Sequence, residues 1–391
     1  MRSARDSGGL GRRIAAIRRA RRMSQADLAQ ASAVSLSMIR KIEQGGRNPS
    51  DAIMDAITSA LGVDPAHLLG GGNRLDGRVH QSIPTIRMLI AAHEFPDDGP
   101  VRPVPLLRTA VEELVVLRLN AQYVRLSHTL PDLLAELIRG LHSGGDLPRD
   151  LAPLLVATCR SADAVAYKYR YLDLSARLID LMRATATAAG DPLLRASTAY
   201  VQTETFFAAR AYQAGLRALE AEIDRLGPGR SPRHLGVLGA LHMRAAVIAA
   251  RTAAPDAATR HLAEARRLGD LVPEGIYHGT AFGPSSVRIH EVSVAVGLGR
   301  LQPALELAAT WTPPDEMPAE RRSGFHIEVA RAQLWAGRPA AAFQSLRMAR
   351  RIAPLHTREH QWVREDVESL LRLHRSPGEA LIGFAEWVGV T

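Results

Sequence analysis

Apolar positions recur along this chain at helical rather than strand spacing. Leu10, Ile14 and Ile17 alternate with arginines and predict a first helix over Leu10–Arg22. Ser24, with Asp27 three residues on, has the form of an N-cap with its partner and opens a second helix. Val34, Ile39 and Ile42 fall on one side of a third, which Gly45-Gly46 ends. The Asn48-Pro49-Ser50 turn hands over to a fourth helix, Asp51–Leu61, and Asp64-Pro65 starts a short fifth that ends near Leu69. Gly70-Gly71-Gly72-Asn73 and the polar run to Arg78 read as a hinge. Beyond it lie helical stretches rich in Ala, Leu and Arg, punctuated by Gly190–Pro192, Gly227–Pro232 and Thr312–Pro318. An irregular segment surrounds Phe95–Pro105, and no convincing alternating strand is seen. The pattern predicts an all-α chain with a head over 1–70, a Gly-rich linker over 71–80 and a helical body over 81–391.

The stretch Ser24–Gly45, SQADLAQASAVSLSMIRKIEQG, has the side-chain order of a helix-turn-helix unit, whose second helix lies in the DNA major groove. Leu28 and Ala29 face inward, and the small Ala29 lets the second helix cross close. The exposed side carries Ser35, Leu36, Ser37, Arg40 and Lys41. Residues 10–70 resemble the phage repressor and Cro class of regulators, the XRE family. The resemblance implies a five-helix domain in which Gln25 clamps a phosphate, and Leu36, Ser37, Arg40 and Lys41 contact bases or nearby backbone. It also implies an ion pair between Arg18 and Glu43. Ser35, Arg22 and Arg47 complete the predicted DNA-binding set. One position departs from the family: the turn residue, usually Gly, is Ala33, at a cost of about 1 kcal/mol if its backbone is left-handed.

Charge supports double-stranded DNA as partner. The first fifty residues hold ten arginines and Lys41 against Asp6, Asp27 and Glu43, and so carry +8 of the chain's formal +9. A general preference for Arg over Lys does not explain that concentration, whereas counterion release from phosphates requires it.

In the body the helices come in pairs. From Phe325 to Pro354, residues Ala330, Gly337, Ala342, Leu346, Ala349 and Pro354 occupy tetratricopeptide (TPR) spacing, with small residues where two antiparallel helices touch. Gly299 and Ala304 stand in the same relation 38 residues earlier. Further copies are read at Ala246, Ala258, Leu262 and Ala265, and across Tyr200–Ala221. The body is therefore expected to be a TPR-like right-handed superhelix, with Thr203, Phe207, Met243, Val247, Arg251, Ile289, Arg331 and Trp335 on its groove. Arginines among apolar side chains suit a ligand carboxylate. The whole chain resembles bacterial regulators that join an XRE-type head to a TPR body. One branch senses signalling peptides; the segment Phe282–Arg300 looks like another, of orphan regulators linked to development or secondary metabolism. The resemblance implies a peptide or small-molecule effector and a homodimer, since one reading helix makes few base contacts.

Other classes fit less well. No apolar run approaches the roughly 18 residues that span a bilayer, so a cytoplasmic, membrane-free protein is expected. Cys159 is the chain's one cysteine and reads as a buried helix residue. His356–His360 (HTREH) matches a zinc-peptidase pattern, but it begins two residues after the repeat-closing Pro354, with His356 placed in a loop. Gly8-Gly9-Leu10-Gly11 lacks the strand and Lys-Ser/Thr of a phosphate loop. No catalytic residue, metal or cofactor is expected. The alternative function is a repeat scaffold for a partner protein, with the head used for recruitment or dimerisation. The last segment, Glu379–Val388, is read as a cap on the final repeat or as a dimer contact.

Overall fold

The computed structural model describes residues 3–47, 49–63, 79–142, 150–373 and 376–390. The fifth helix of the head, Asn48 and the hinge up to Arg78 lie outside them. The chain divides into two compact units, Met1–Gly77 and Arg78–Thr391.

The head has helices α1 (Ser3–Ala20), α2 (Gln25–Ala31), α3 (Leu36–Glu43) and α4 (Asp51–Ala60). Leu10, Ile14, Leu28, Ile39, Ile42, Met54, Ile57 and Leu61 are buried together as its core. A capping box starts α2: Asp27 N donates to Ser24 Oγ at 3.1 Å, and Ser24 N donates to Asp27 Oδ2 at 2.7 Å. Ala33, at φ 52°, makes the turn to α3, and Val34 N closes back on the Ala29 carbonyl at 3.1 Å. Where α1 crosses the end of α3, a Cβ on Gly11 would lie 2.1 Å from the Ile42 carbonyl oxygen.

The body opens with α5 (Ile83–Ala91) and an irregular segment, then runs as helix pairs: α6 (Val104–Leu119) with α7 (Tyr123–His142), α8 (Leu151–Lys168) with α9 (Leu172–Ala189), α10 (Pro192–Ala208) with α11 (Tyr212–Leu226), α12 (Pro232–Arg251) with α13 (Pro255–Gly269), α14 (Pro284–Gly297) with α15 (Leu301–Ala309), and α16 (Ala319–Trp335) with α17 (Pro339–Ile352). The short α18 (Pro354–Glu359), then α19 (Gln361–Leu373) and α20 (Glu379–Val388), finish the chain. His356 thus lies within a helix, not in a loop. Leu381, Phe384 and Val388 of α20 are buried with Leu346, Val367 and Leu370, closing the last apolar face.

Each pair turns its corner through one left-handed residue, in order Ala121, Arg170, Arg210, Ala253, Gly299 and Gly337. The residue that follows each corner donates its N–H to a carbonyl five positions back, as Gln122 does to Leu117 and Arg338 to Gln333. First helices α6, α8, α10, α12, α14 and α16 touch in succession as an inner layer, and α16 meets α6 again. Tyr123 Oη, beside Glu320 Oε1 at 3.5 Å, and the Lys168–Glu320 ion pair join the two ends.

The fold is all-α, and one short hairpin that sequence reading did not include interrupts the helices. Strands β1 (Gly275–Tyr277) and β2 (Thr280–Phe282) pair antiparallel, with Tyr277 opposite Thr280. Between them His278 (φ 45°) and Gly279 (φ 76°) form a two-residue turn whose twist suits a hairpin. Strands of three residues are too short for alternation to register.

Candidate functional site

On α3 the exposed face follows from its start. Ser35 is the N-cap, accepting from Met38 N at 3.3 Å, and its Oγ lies 3.3 Å from that of Ser37. Ile39 and Ile42 turn into the core, which leaves Ser37, Arg40 and Lys41 exposed and Leu36 half-buried. Arg22, at φ 57°, and Arg47 are exposed at the helix boundaries. Glu43 holds this face in place. It accepts from Arg18 Nε at 2.7 Å and Nη2 at 3.0 Å, while Arg18 Nη1 donates to the Met23 carbonyl at 2.7 Å. Gln25 Nε2 donates to Glu43 at 2.7 Å, which fixes the amide at the start of α2 and leaves its second hydrogen for another acceptor. Burial alone would raise the Glu43 carboxyl, but the hydrogen bonds from Arg18 and Gln25 outweigh it and hold its pKa below the ordinary value.

The inner helices of the body converge on a polar lumen. Arg118 comes from α6, Arg160 from α8, Tyr200 from α10, Arg244 from α12, and Glu320 and Arg321 from α16. Arg244 and Arg160 lie 5.0 and 5.6 Å from the Tyr200 ring centroid, and Arg321 Nη2 donates to its hydroxyl at 3.0 Å. Burial would raise the Tyr200 phenol, yet Arg321 and Arg244 prevail and bring it down to about 8. Glu320 goes to about 2: burial opposes ionisation, and Lys168 overcomes it. The hairpin reaches the same lumen, where Arg118 Nη2 donates to the Gly279 carbonyl and Arg160 Nη1 to the His278 carbonyl, both at 2.8 Å.

Residues 14–68 match the helix-turn-helix family. The head is a helix-turn-helix domain of the XRE type. Over 61 residues the chain is 36% identical to the immunity repressor protein of Bacillus phage phi105, a match covering 16% of this chain and 42% of that protein. The matched part is therefore less than half of that repressor. Two solved structures align at low similarity. One is Bacillus thuringiensis PlcR in complex with the peptide PapR7 and DNA, at 16% identity, 68% of this chain, 95% of that chain and a TM-score of 0.29. The other is the apo competence regulator ComR of Streptococcus vestibularis, at 12% identity, 92% of this chain, 98% of that chain and a TM-score of 0.28.

The predicted groove positions in that body separate into three sets. Met243 and Ile289 are buried in apolar clusters, and Val247 packs against one. Thr203 is fully buried and accepts from Arg244 Nε at 2.6 Å, while Phe207 lies 4.9 Å beneath the same guanidinium. Arg251 and Arg331 stand 4.3 and 4.4 Å from the ring of Trp362, and Arg331 also pairs with Asp366 at 3.1 Å beside the exposed Trp335. Sequence reading missed Trp362, Asp366, Arg118, Arg160 and Tyr200. No common signal marks them: Arg160 stands on the largely apolar α8, but Trp362 and Asp366 lie on α19, QWVREDVESLLRL, which is polar over most of its length. Of the two histidines of the HTREH segment, His356 Nδ1 lies 2.6 Å from Ser323 Oγ, and His360 ends α18 with extended backbone, so the two do not share a continuous helix face. Among the described residues no cluster of three or more His, Cys, Asp or Glu could hold a metal, and no helix is long and apolar enough to cross a membrane.

Proposed function

We propose that this chain is a sequence-specific transcriptional regulator in which α3 reads the major groove, the body dimerises, and the lumen side of the body takes an effector. The observation that carries the reading is the exposed face of α3. Arg40 and Lys41 point outward with no ion pair among the described residues, on a helix locked to its neighbours by the Arg18–Glu43–Gln25 network. Free cations on a rigid helix lose little entropy on meeting DNA. Leu36, Ser37, Arg40 and Lys41 are assigned to bases or nearby backbone and Gln25 to a phosphate, with Ser35, Arg22 and Arg47 completing the DNA-binding set. Two heads on one palindrome multiply specificity that a single helix, at about 1–3 kcal/mol per bidentate contact, cannot reach.

The test is salt-titrated binding of the full-length protein to DNA from upstream of its own gene, with a random duplex as control. Tight sequence-dependent binding is expected, with log K falling against log salt by about 0.9 for each phosphate neutralised. Arg40→Ala should lower affinity for the specific site far more than for random DNA. Equal losses on both would make Arg40 a phosphate contact, and sequence-blind binding by the unaltered protein would defeat the regulator reading.

A further inference from the structure

Four guanidinium groups meet in the lumen of the body with little to neutralise them. Among the described residues their hydrogen-bond acceptors are neutral oxygens: Gly279 O for Arg118, His278 O and Thr280 Oγ1 for Arg160, Thr203 Oγ1 for Arg244, and Tyr200 Oη for Arg321. The acids nearby are weak counterweights: Glu204 lies 3.9 Å from Arg244, Glu320 is taken up by Lys168, Asp163 accepts from Ser175 Oγ at 2.6 Å with burial pushing its carboxyl up, and Glu274 accepts from Ser286. Arg118 is 6% exposed, and its buried Nε has no hydrogen-bond partner. Burial first, and the neighbouring Arg118 second, push Arg160 down to about 9, the response of a buried cation that lacks a counter-ion.

The oxygens that reach Arg118 and Arg160 all belong to the tip of the hairpin. Its two strands are held by contacts of their own, from the base at Phe282 up to Tyr277 beside the turn. The Tyr277 ring sits over Gly236, where a Cβ would come within 2.2 Å, and the Phe282 ring over Gly239, where one would come within 1.9 Å. Glu274 accepts from Ser286 N at 2.9 Å, tying the chain just before β1 to the start of α14. The tip itself carries a non-glycine residue, His278, in the left-handed region, a strain that moving the tip would release.

We propose that the lumen binds a compact polyanion whose phosphate or carboxylate oxygens take the places on Arg118 and Arg160 that the hairpin tip occupies, so that residues 275–282 are a built-in stand-in for the ligand. This rests on the effector reading above and names the chemical class of the effector. An anionic acceptor adds charge–charge attraction to the hydrogen bond that a neutral carbonyl gives a guanidinium, and one polyanion would also neutralise Arg244 and Arg321.

The experiment is hydrogen exchange on the full-length protein with inorganic pyrophosphate, against sodium chloride at matched ionic strength. Exchange is read segment by segment, so anion taken up by the basic head does not register at the hairpin. At saturation the amides of Ile276–Ala281 should exchange at least tenfold faster, and Arg118→Gln with Arg160→Gln should abolish the response. Tyr277→Ala, which removes the ring over Gly236 and leaves both arginines, should respond at several-fold lower pyrophosphate. Unchanged hairpin exchange in both the wild type and Tyr277→Ala overturns the proposal. An effector that alters DNA affinity while the hairpin stays protected overturns it too, and leaves the effector reading standing. A tip released by pyrophosphate with DNA affinity unchanged keeps the anion site and defeats the effector reading.

Discussion

Gly11 shows how a single residue sets the geometry of the head. With the Ile42 carbonyl 2.1 Å from any added Cβ, Gly11→Ala must push α1 away from α3, at a cost of about 1–3 kcal/mol. A thermal melt of the variant should show the loss together with weaker DNA binding; an unchanged melt would mean the helices cross less closely. Glu43 gives a pH signature. Its folded pKa is depressed, so the stability it supplies is full above the ordinary carboxylate range and is lost as the pH falls through the folded value. The head should therefore lose stability below about pH 4, and Glu43→Gln should flatten that dependence in pH-resolved melts. The Ser24–Asp27 box was legible in sequence because both partners lie within one helical turn. The role of Gly11 was not, because it depends on a carbonyl that only folding brings near; in sequence it was one glycine of a run that merely resembled a phosphate loop.

At the scale of elements, the corners of the repeats explain which pairs the sequence revealed. The two copies that read most plainly as TPR units turn at Gly299 and Gly337, while Ala121, Arg170, Arg210 and Ala253 adopt the same left-handed backbone without glycine's freedom. The fold demands the conformation at all six corners, but only glycine advertises it. Arg210→Gly and Ala253→Gly, both at exposed corners, should each stabilise the body by up to about 1 kcal/mol, and Gly337→Ala should cost about as much, read by urea denaturation. The hairpin left one trace, the His278-Gly279 pair between β-favouring Ile276-Tyr277 and Thr280, too brief to stand out from helical surroundings. The lumen residues were hidden for another reason. Periodicity marks the apolar side of a helix, and a polar side that faces an enclosed lumen reads the same as one that faces water.

For the whole chain, net basic charge is concentrated in the head, while the body is nearly neutral overall and buries Arg118 and Arg160 in its lumen. In the body α16 meets α6, and its Glu320 also reaches Tyr123 of α7 and Lys168 of α8, so repeats far apart in sequence are linked. Stacked repeats ordinarily touch only their neighbours, so their stability adds along a line. Here the body should unfold in one transition, and Glu320→Gln, which weakens the seam, should broaden or split it in denaturant titrations followed by circular dichroism. A row of bricks can be laid and left at any length, but a hoop holds only when its last piece is in place. During synthesis the early repeats must therefore wait, with their inner arginines open to solvent and to any anion present, until α16 leaves the ribosome and shuts the circle.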